Sequence, residues 1–304
     1  MKKYVIAIHG GAVTLDRNSI GKDKELKYRE GLEEALQAGN AVLEKGGSAV
    51  DAVTAAVATM ENNPVFNAGK GGNLNVHGEN MFDAAIMDGK ELKIGAVGCV
   101  RYIKNPIKLA KAVMEHCKHN FLVDAGAQEF AIIQGVEHEK PSYFATEENL
   151  KDWQKSIPEN YSSGHDTVGA VALDQEGNIA AATSTGGLKS QLKGRISDSP
   201  IIGGGTFANN DVCAVSCTGE GEVIMRGAIA HEVYGLVRYA KENLQAASDK
   251  AVTMHEKQLK GDIGLVALNP SGEVAFAFNT NMMKRGFSIN GQTPAIALWD
   301  DESL

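Results

Sequence analysis

The sequence predicts an α/β (α+β) fold, namely a layered sandwich of two stacked β-sheets. Strand-like runs occur in groups, and helical patterns accompany them on both sides of a polar segment at residues 140–166. Strands and helices do not alternate regularly, as they would in a βαβ barrel. With 304 residues, of which 43% are apolar, the chain can form one large domain or two small ones.

Charge and hydropathy exclude several classes of function. The formal net charge of −8 argues against nucleic acid as a partner, because phosphate binding needs a basic face. No apolar run approaches the length of a membrane span. The first residues, MKKYVIAIHGG, hold too short an apolar run for a signal peptide, and the four cysteines are scattered. We therefore expect a cytoplasmic protein that binds neither nucleic acid nor membrane.

The first half of the chain predicts one strand followed by helices. Leucines at helical spacing predict a helix over 24–46, ended by two glycines. Ser48 begins a second, alanine-rich helix, with Asp51 as the acidic half of a capping box. Two further helices are predicted to begin at Asn105 and near Asp124.

The second half of the chain predicts mainly strands. The segment 140–166 is charged and polar, which predicts an exposed linker or a loosely ordered flap. A helix is predicted over 222–246. The strand patterns beyond the linker are TVGAVALD, NIAAATST, VCAVSC, IGLVALN and EVAFAFN.

Three threonines are predicted to converge at strand ends. If the hairpin formed by the first two of these strands is centred on Glu176, then Thr167 faces Thr185, with Cβ atoms roughly 5 Å apart. Thr218 ends a third strand and precedes Gly-Glu-Gly, where glycines allow a ligand close to the backbone. Threonine is also a favoured strand residue, which is the simpler explanation of any one of them.

The polar segment ends at Asp166-Thr167, and this position suggests a nucleophile. A threonine hydroxyl needs an adjacent base, and the nearest one is its own α-amino group, with an unperturbed pKa of about 7.7–8.0. That amine exists only if the peptide bond before Thr167 is broken. An exposed linker is where such a break would lie.

Seven motifs together resemble the plant-type L-asparaginase and isoaspartyl peptidase family, which are N-terminal nucleophile (Ntn) hydrolases of the threonine type. This resemblance implies a four-layer αββα sandwich of the Ntn-hydrolase type, as a single domain over 1–304, and a homodimer of αβ units. The motifs are IHGGA, NPVFNAG, FDAAIMDG, HDTVGAVALD, AAATSTGG, GRISDSPIIGGGTFANN and SCTGEGE, which cover nearly the whole chain in order.

The resemblance implies an enzyme that activates itself. Thr167 would attack the carbonyl of Asp166, and hydrolysis would leave an α chain of 1–166 and a β chain of 167–304. The mature enzyme would cleave β-aspartyl dipeptides and the side-chain amide of L-asparagine, releasing L-aspartate.

The resemblance also implies roles for individual residues. Thr185 would activate the nucleophile, while Thr218 and the Gly219 N–H would form the oxyanion hole. Arg195 would bind the substrate α-carboxylate and Asp198 its α-ammonium. The substrate-binding residues that it implies are Asn67, Arg195, Asp198, Gly219 and Gly221.

A structural sodium ion is a further implication, whereas no cofactor is expected for catalysis. In relatives, main-chain carbonyls of one loop hold this ion. The matching carbonyls here belong to Met60, Glu61, Asn63, Phe66, Ala68 and Lys70.

The sequence departs from the family pattern at two positions and leaves alternatives open. Val13 replaces the last glycine of the usual GGAG, and Asp166 stands where some members have glycine. Glycosylasparaginases share the HDT and GR-DSP stretches, so activity on glycan-linked asparagine is one alternative. Another is a binding protein on the same fold whose chain is never cut.

Other chemistries find little support in the sequence. His116, Cys117 and His119 lack a placed carboxylate and an HExxH pattern, so a metal hydrolase is not predicted. The glycine-rich stretches AGKGGN and IGGGTF complete no nucleotide-binding motif. Cys217 lies in an apolar strand without an evident base.

Overall fold

The computed structural model describes residues 2–156 and 166–304. The strands in these residues are β1 (Val5–Val13), β2 (Phe82–Asp88), β3 (Ile94–Val100), β4 (Phe121–Val123), β5 (Val168–Leu173), β6 (Ile179–Thr185), β7 (Thr206–Asn209), β8 (Cys213–Gly219), β9 (Ile263–Leu268), β10 (Val274–Phe278), β11 (Met282–Ile289) and β12 (Ala295–Trp299). The α-helices are α1 (Lys22–Glu44), α2 (Ala49–Asn62), α3 (Pro106–His116), α4 (Asp124–Ile133), α5 (Pro141–Phe144), α6 (Glu147–Ser156), α7 (Gly221–Gly227), α8 (Ile229–Arg238) and α9 (Leu244–Leu259).

The strands form two sheets. One has eight strands in the order β12-β11-β1-β5-β6-β2-β3-β4, and the other has four in the order β10-β9-β8-β7. Neighbouring strands are antiparallel except for β3 and β4. The predicted sandwich of two stacked sheets is confirmed.

Helices cover both outer faces, so the molecule has four layers. Strand β1 shows the arrangement: Ile6 and Ile8 pack with residues of α1 and α2, whereas Val5 and Ala7 point between the sheets. Helices α7, α8 and α9 bury the outer face of the smaller sheet. Because both faces of the central strands are buried, their sequences are nearly continuous apolar runs. The predicted αββα sandwich of the Ntn-hydrolase type is confirmed.

The predicted helices of the first half form close to their expected bounds. Helix α1 ends just before Gly46, which has a positive φ of 77°. At the start of α2, the Ser48 hydroxyl accepts a hydrogen bond from the Asp51 N–H (3.1 Å) and donates one to the Asp51 carboxylate (2.7 Å). These bonds satisfy a backbone donor that the first helical turn would otherwise leave unpaired.

The prediction of a single helix over 222–246 is wrong. Three helices, α7 to α9, lie in this region, and the last of them continues beyond it. Ala228 has a left-handed conformation (φ 46°) and separates α7 from α8. Residues 239–243 then separate α8 from α9. Periodicity did not reveal these breaks, because neither coincides with a proline or glycine at the break itself.

The described residues 140–156 of the polar segment are more ordered than its composition predicts. Helix α6 lies within it, and the indole of Trp153 donates a hydrogen bond to the Asn75 carbonyl (2.8 Å). Ion pairs Lys24–Glu148 (2.7 Å) and Lys189–Asp152 (2.8 Å) also join this helix to the rest of the molecule. The remainder of the predicted linker, 157–165, lies outside the described residues. No helix in the described part of the chain is long and apolar enough to cross a membrane.

Two leucines of α1 provide a matched test of the outer helix layer. Leu32 is fully buried against the larger sheet, whereas Leu26 is 55% exposed. We expect Leu32→Ala to lower the free energy of unfolding by about 2–5 kcal/mol, because it leaves a cavity. Leu26→Ala should change it by less than about 0.5 kcal/mol. Urea denaturation of both variants checks this, and equal losses would contradict the packing described.

Candidate active site

The β5–β6 hairpin brings two of the predicted threonines together. Its register pairs Val168 with Ser184, and therefore places Thr167 opposite Thr185, as predicted. The hydroxyl of Thr167 donates a hydrogen bond to that of Thr185 (3.3 Å), and both residues are buried. The Asp174 carboxylate holds the turn by accepting bonds from two backbone N–H groups of the loop.

The carbonyl of Asp166 is held beside this pair by two donors. The Asn67 amide donates to it at 2.7 Å and the Thr185 hydroxyl at 3.2 Å. Asn67 is itself fixed, because its side-chain oxygen accepts from the Asn73 N–H (2.8 Å) and its amide also donates to the Gly187 carbonyl (2.8 Å). The bond predicted to break therefore has a polarised carbonyl next to a hydroxyl.

The third threonine offers an unused donor. Thr218 is the last residue but one of β8, and its hydroxyl is buried without a hydrogen-bond partner among the described residues. Gly219 follows with φ 124°, and a Cβ at this position would collide with the Asp262 carbonyl. Only glycine fits this conformation. A small pocket collects the predicted residues Thr167, Thr185, Arg195, Asp198, Gly219 and Gly221, together with Asp166.

The guanidinium of Arg195 already binds a carboxylate. Its Nε and Nη2 donate to the two oxygens of Glu222 at 2.8 and 3.0 Å, and its Nη1 donates to Gln191 at 3.1 Å. The fork predicted to bind the substrate α-carboxylate is thus paired with Glu222 in this structure. The geometry shows that Arg195 is oriented for bidentate carboxylate binding.

Asp198 is a buried carboxyl group beside Arg195. Desolvation raises its pKa to about 7, although the positive charge of Arg195 opposes the shift. Its Oδ2 atom has no hydrogen-bond partner in the described part of the chain. A Cβ on Gly221 would lie 2.8 Å from Asp198 Oδ1 and 2.9 Å from Arg195 Nη2, so glycine leaves the space between the two charges open.

The sequence of the whole chain agrees with this geometry. A family model described as Asparaginase matches residues 2–298. The chain belongs to the asparaginase family. It is 40% identical to an isoaspartyl peptidase of Escherichia coli, over 99% of this chain and 98% of that protein. It is 42% identical to an isoaspartyl peptidase/L-asparaginase of Homo sapiens, over 95% of this chain and 94% of that protein. The predicted family is confirmed, while the roles of individual residues stay predictions.

A buried chain of polar side chains supports the predicted nucleophile, Thr167, of this asparaginase-family protein. His9 lies 3.0 Å from the Thr167 carbonyl through Nδ1 and 2.9 Å from the Ser216 hydroxyl through Nε2. Because a carbonyl only accepts, Nδ1 must carry the proton, and Nε2 accepts from Ser216. Thr183 then donates to Ser216 (2.7 Å). Burial lowers the pKa of His9 to about 3, so the ring is neutral near pH 7.

Sequence reasoning missed this chain and a second support. His9 lies in the motif IHGGA, but a histidine within an apolar strand gives no sign of its partners. Asp83 is buried and accepts from the N–H groups of Cys99 and Ser197, both at 2.8 Å. It thereby ties the loop that carries Arg195 to the start of β2. Burial raises the pKa of Asp83.

The loop predicted to bind sodium is tightly wound. The Met60 carbonyl accepts from the Asn63 N–H (3.1 Å), and the Glu61 carbonyl accepts from the Lys70 N–H (2.7 Å). Gly71 has φ 98°, and a Cβ there would collide with loop carbonyls. A carbonyl oxygen keeps a second lone pair after accepting one hydrogen bond. The carbonyl oxygens of this loop are therefore suitable ligands for a cation.

The residues considered for rival chemistries differ in their burial. Cys217 is buried, and burial raises its thiol pKa well above the ordinary value. His116 and His119 are exposed. Within residues 2–156 and 166–304, no three His, Cys, Asp or Glu side chains are grouped as metal ligands.

The buried carboxyl of Asp198 makes stability depend on pH. Its pKa rises from 3.8 to about 7 on folding, so the folded state holds a proton that the unfolded state releases. The free energy of unfolding should therefore fall as pH rises between these values. Asp198→Asn removes this contribution.

As pH rises from 4 to 7, we expect the free energy of unfolding of the protein with Asp198 to fall relative to that of Asp198→Asn. Both proteins should carry Thr167→Ala, so that a single chain unfolds. Urea denaturation at a series of pH values measures the difference. A difference independent of pH would show that Asp198 is ionised when folded.

Proposed function

We propose that the protein is a hydrolase that activates itself by autoproteolysis and then cleaves β-aspartyl (isoaspartyl) dipeptides and the side-chain amide of L-asparagine. The supporting observation is that the Thr185 hydroxyl contacts both the Thr167 hydroxyl and the carbonyl of Asp166, to which Asn67 also donates a hydrogen bond. The names of the similar proteins of Escherichia coli and Homo sapiens support the same substrates.

Autoproteolysis begins when the Thr167 oxygen attacks the carbonyl carbon of Asp166. Negative charge then develops on the carbonyl oxygen, where Asn67 and Thr185 already donate hydrogen bonds. The C–N bond breaks, the nitrogen takes the proton that the Thr167 hydroxyl gives up, and Asp166 is joined to Thr167 as an ester. Water hydrolyses this ester and leaves a free α-amino group on Thr167, with chains of residues 1–166 and 167–304.

Substrate hydrolysis repeats this attack on a different carbonyl. The α-amino group of Thr167 accepts the proton of its own hydroxyl, and the oxygen attacks the side-chain carbonyl of the substrate. The Thr218 hydroxyl, which has no hydrogen-bond partner among the described residues, and the N–H of Gly219 stabilise the oxyanion. The leaving amine takes the proton, and water then releases L-aspartate from the enzyme ester.

Recognition of the aspartyl end uses the two opposite charges of the small pocket. Asp198 binds the substrate α-ammonium, whose charge favours the ionised form of the carboxyl. Arg195 binds the α-carboxylate of the substrate. This carboxylate either displaces Glu222 from Arg195 or shares the guanidinium with it. This pair of charges selects a free amino acid end.

A structural sodium ion on the 60–70 loop is part of the proposal. The carbonyls of Met60, Glu61, Asn63, Phe66, Ala68 and Lys70 would hold it. Asn67 belongs to the same loop, so the ion would stabilise the donor that polarises the Asp166 carbonyl. The ion takes no part in catalysis.

We also propose a cytoplasmic homodimer of αβ units. All four cysteines are free, which fits a reducing compartment. The dimer rests on the resemblance to the family.

Intact-mass spectrometry of the purified protein tests autoproteolysis. We expect two chains, of residues 1–166 and 167–304, in wild type and one uncut chain in Thr167→Ala. Thr253→Ala, which removes an exposed hydroxyl on α9, should be cut like wild type. A single chain in wild type after long incubation would favour the uncut binding protein. Turnover of glycan-linked asparagine alone would favour a glycosylasparaginase.

Thermal unfolding in different salts tests the sodium ion. A cation that binds only the folded protein raises the melting temperature with its concentration. We expect a higher melting temperature in sodium chloride than in choline chloride at equal ionic strength, because choline is too large for the loop. Identical melting curves in the two salts would contradict the binding of a sodium ion by this loop.

A further inference from the structure

Lys284 forms a buried ion pair next to the bond that is cut. Its side chain, on β11, is only 1% exposed, and its Nζ lies 2.6 Å from Asp166 Oδ1. The ring of Tyr28 lies 4.9 Å from the same nitrogen. Among the described residues, Asp166 is the only acidic partner of Lys284. The function derived above uses neither Lys284 nor the carboxylate of Asp166.

The backbone leaves room for that carboxylate. Gly11 has φ 115°, and a Cβ on it would collide with Asp166 Oδ1. The carboxylate therefore lies between the backbone of β1 and the Lys284 ammonium. This is a recess of the right shape and charge for one carboxylate group.

Cleavage changes the surroundings of Lys284. After the cut, Asp166 becomes the end of the α chain, while Lys284 belongs to the β chain. A buried ammonium that loses its counter-charge is strongly destabilised, so another anion is favoured in the same place. Asp166 lines both the small pocket around Thr167 and a cavity of about 680 Å³ beside Tyr28 and Asn67. Its departure would join these two spaces.

We propose that Lys284 binds the carboxylate of the leaving amino acid in a β-aspartyl dipeptide, at the place that the Asp166 side chain occupies in the uncut chain. The inference rests on the proposed function. Arg195 and Asp198 hold the aspartyl end, and Lys284 holds the other end across Thr167. L-asparagine releases ammonia and has no second carboxylate, so Lys284 favours dipeptides over L-asparagine.

The test compares two substrates that differ only at this carboxylate. We expect wild type to show a kcat/KM about tenfold or more higher for β-aspartyl-leucine than for β-aspartyl-leucinamide, because a charge-assisted hydrogen bond is lost with the amide. In Lys284→Met this ratio should fall to near one. Lys27→Met, which removes an exposed lysine lining the same cavity, should keep the wild-type ratio.

The outcomes separate this inference from the proposed function. Absence of cleavage and of L-asparagine turnover in wild type would overturn the proposed function itself. With both present, a ratio near one in wild type, or a ratio unchanged in Lys284→Met, would overturn the role of Lys284. If Lys284→Met fails to fold or to cleave, Lys284→Gln keeps a donor without the charge. A wild-type ratio in Lys284→Gln would then also overturn the inference.

Discussion

The register between β5 and β6 places the hydroxyl of Thr167 against that of Thr185. Because the side chains of a strand alternate with a period of two, a slip of one residue would turn Thr167 and Thr185 to opposite faces. The turn after β5 prevents this slip, since Asp174 accepts two backbone hydrogen bonds within it. On the other side, β1 pairs with β5 and carries His9, which holds the Thr167 carbonyl. A side chain placed at a strand end, as that of Thr167 is, thus gains the rigidity of a sheet.

Several polar groups of the site are buried without a full set of hydrogen-bond partners. Among the described residues, the Thr218 hydroxyl and one carboxyl oxygen of Asp198 have no hydrogen-bond partner, whereas most other buried polar groups have one. Such groups lower stability, and a ligand that pairs with them regains that free energy on binding. The same reasoning applies to Lys284, whose buried ammonium pairs with one carboxylate among the described residues.

Much of this architecture follows from local sequence signals. The facing of Thr167 and Thr185 could be predicted because a hairpin register depends only on the turn and the two strands beside it. The break at Ala228 could not, since nothing in its own chemistry requires a left-handed conformation. The partners of His9 and Lys284 were also beyond prediction, because each meets residues distant in the chain. Strand alternation predicts which face a side chain occupies, but it does not predict what lies opposite in another strand or sheet.

The strand order has a consequence for a protein made of two chains. In the larger sheet, β1 lies between β11 and β5, and β6 lies next to β2. Segments from before and after Thr167 therefore alternate across one hydrogen-bonded sheet. In a cut protein of this kind, one fragment could not dissociate without breaking the hydrogen bonds between strands of the larger sheet. After thermal unfolding, the two fragments would have to meet by diffusion, so the yield of refolded protein would depend on protein concentration. The uncut chain does not need this encounter, so folding before cleavage is less prone to misassembly.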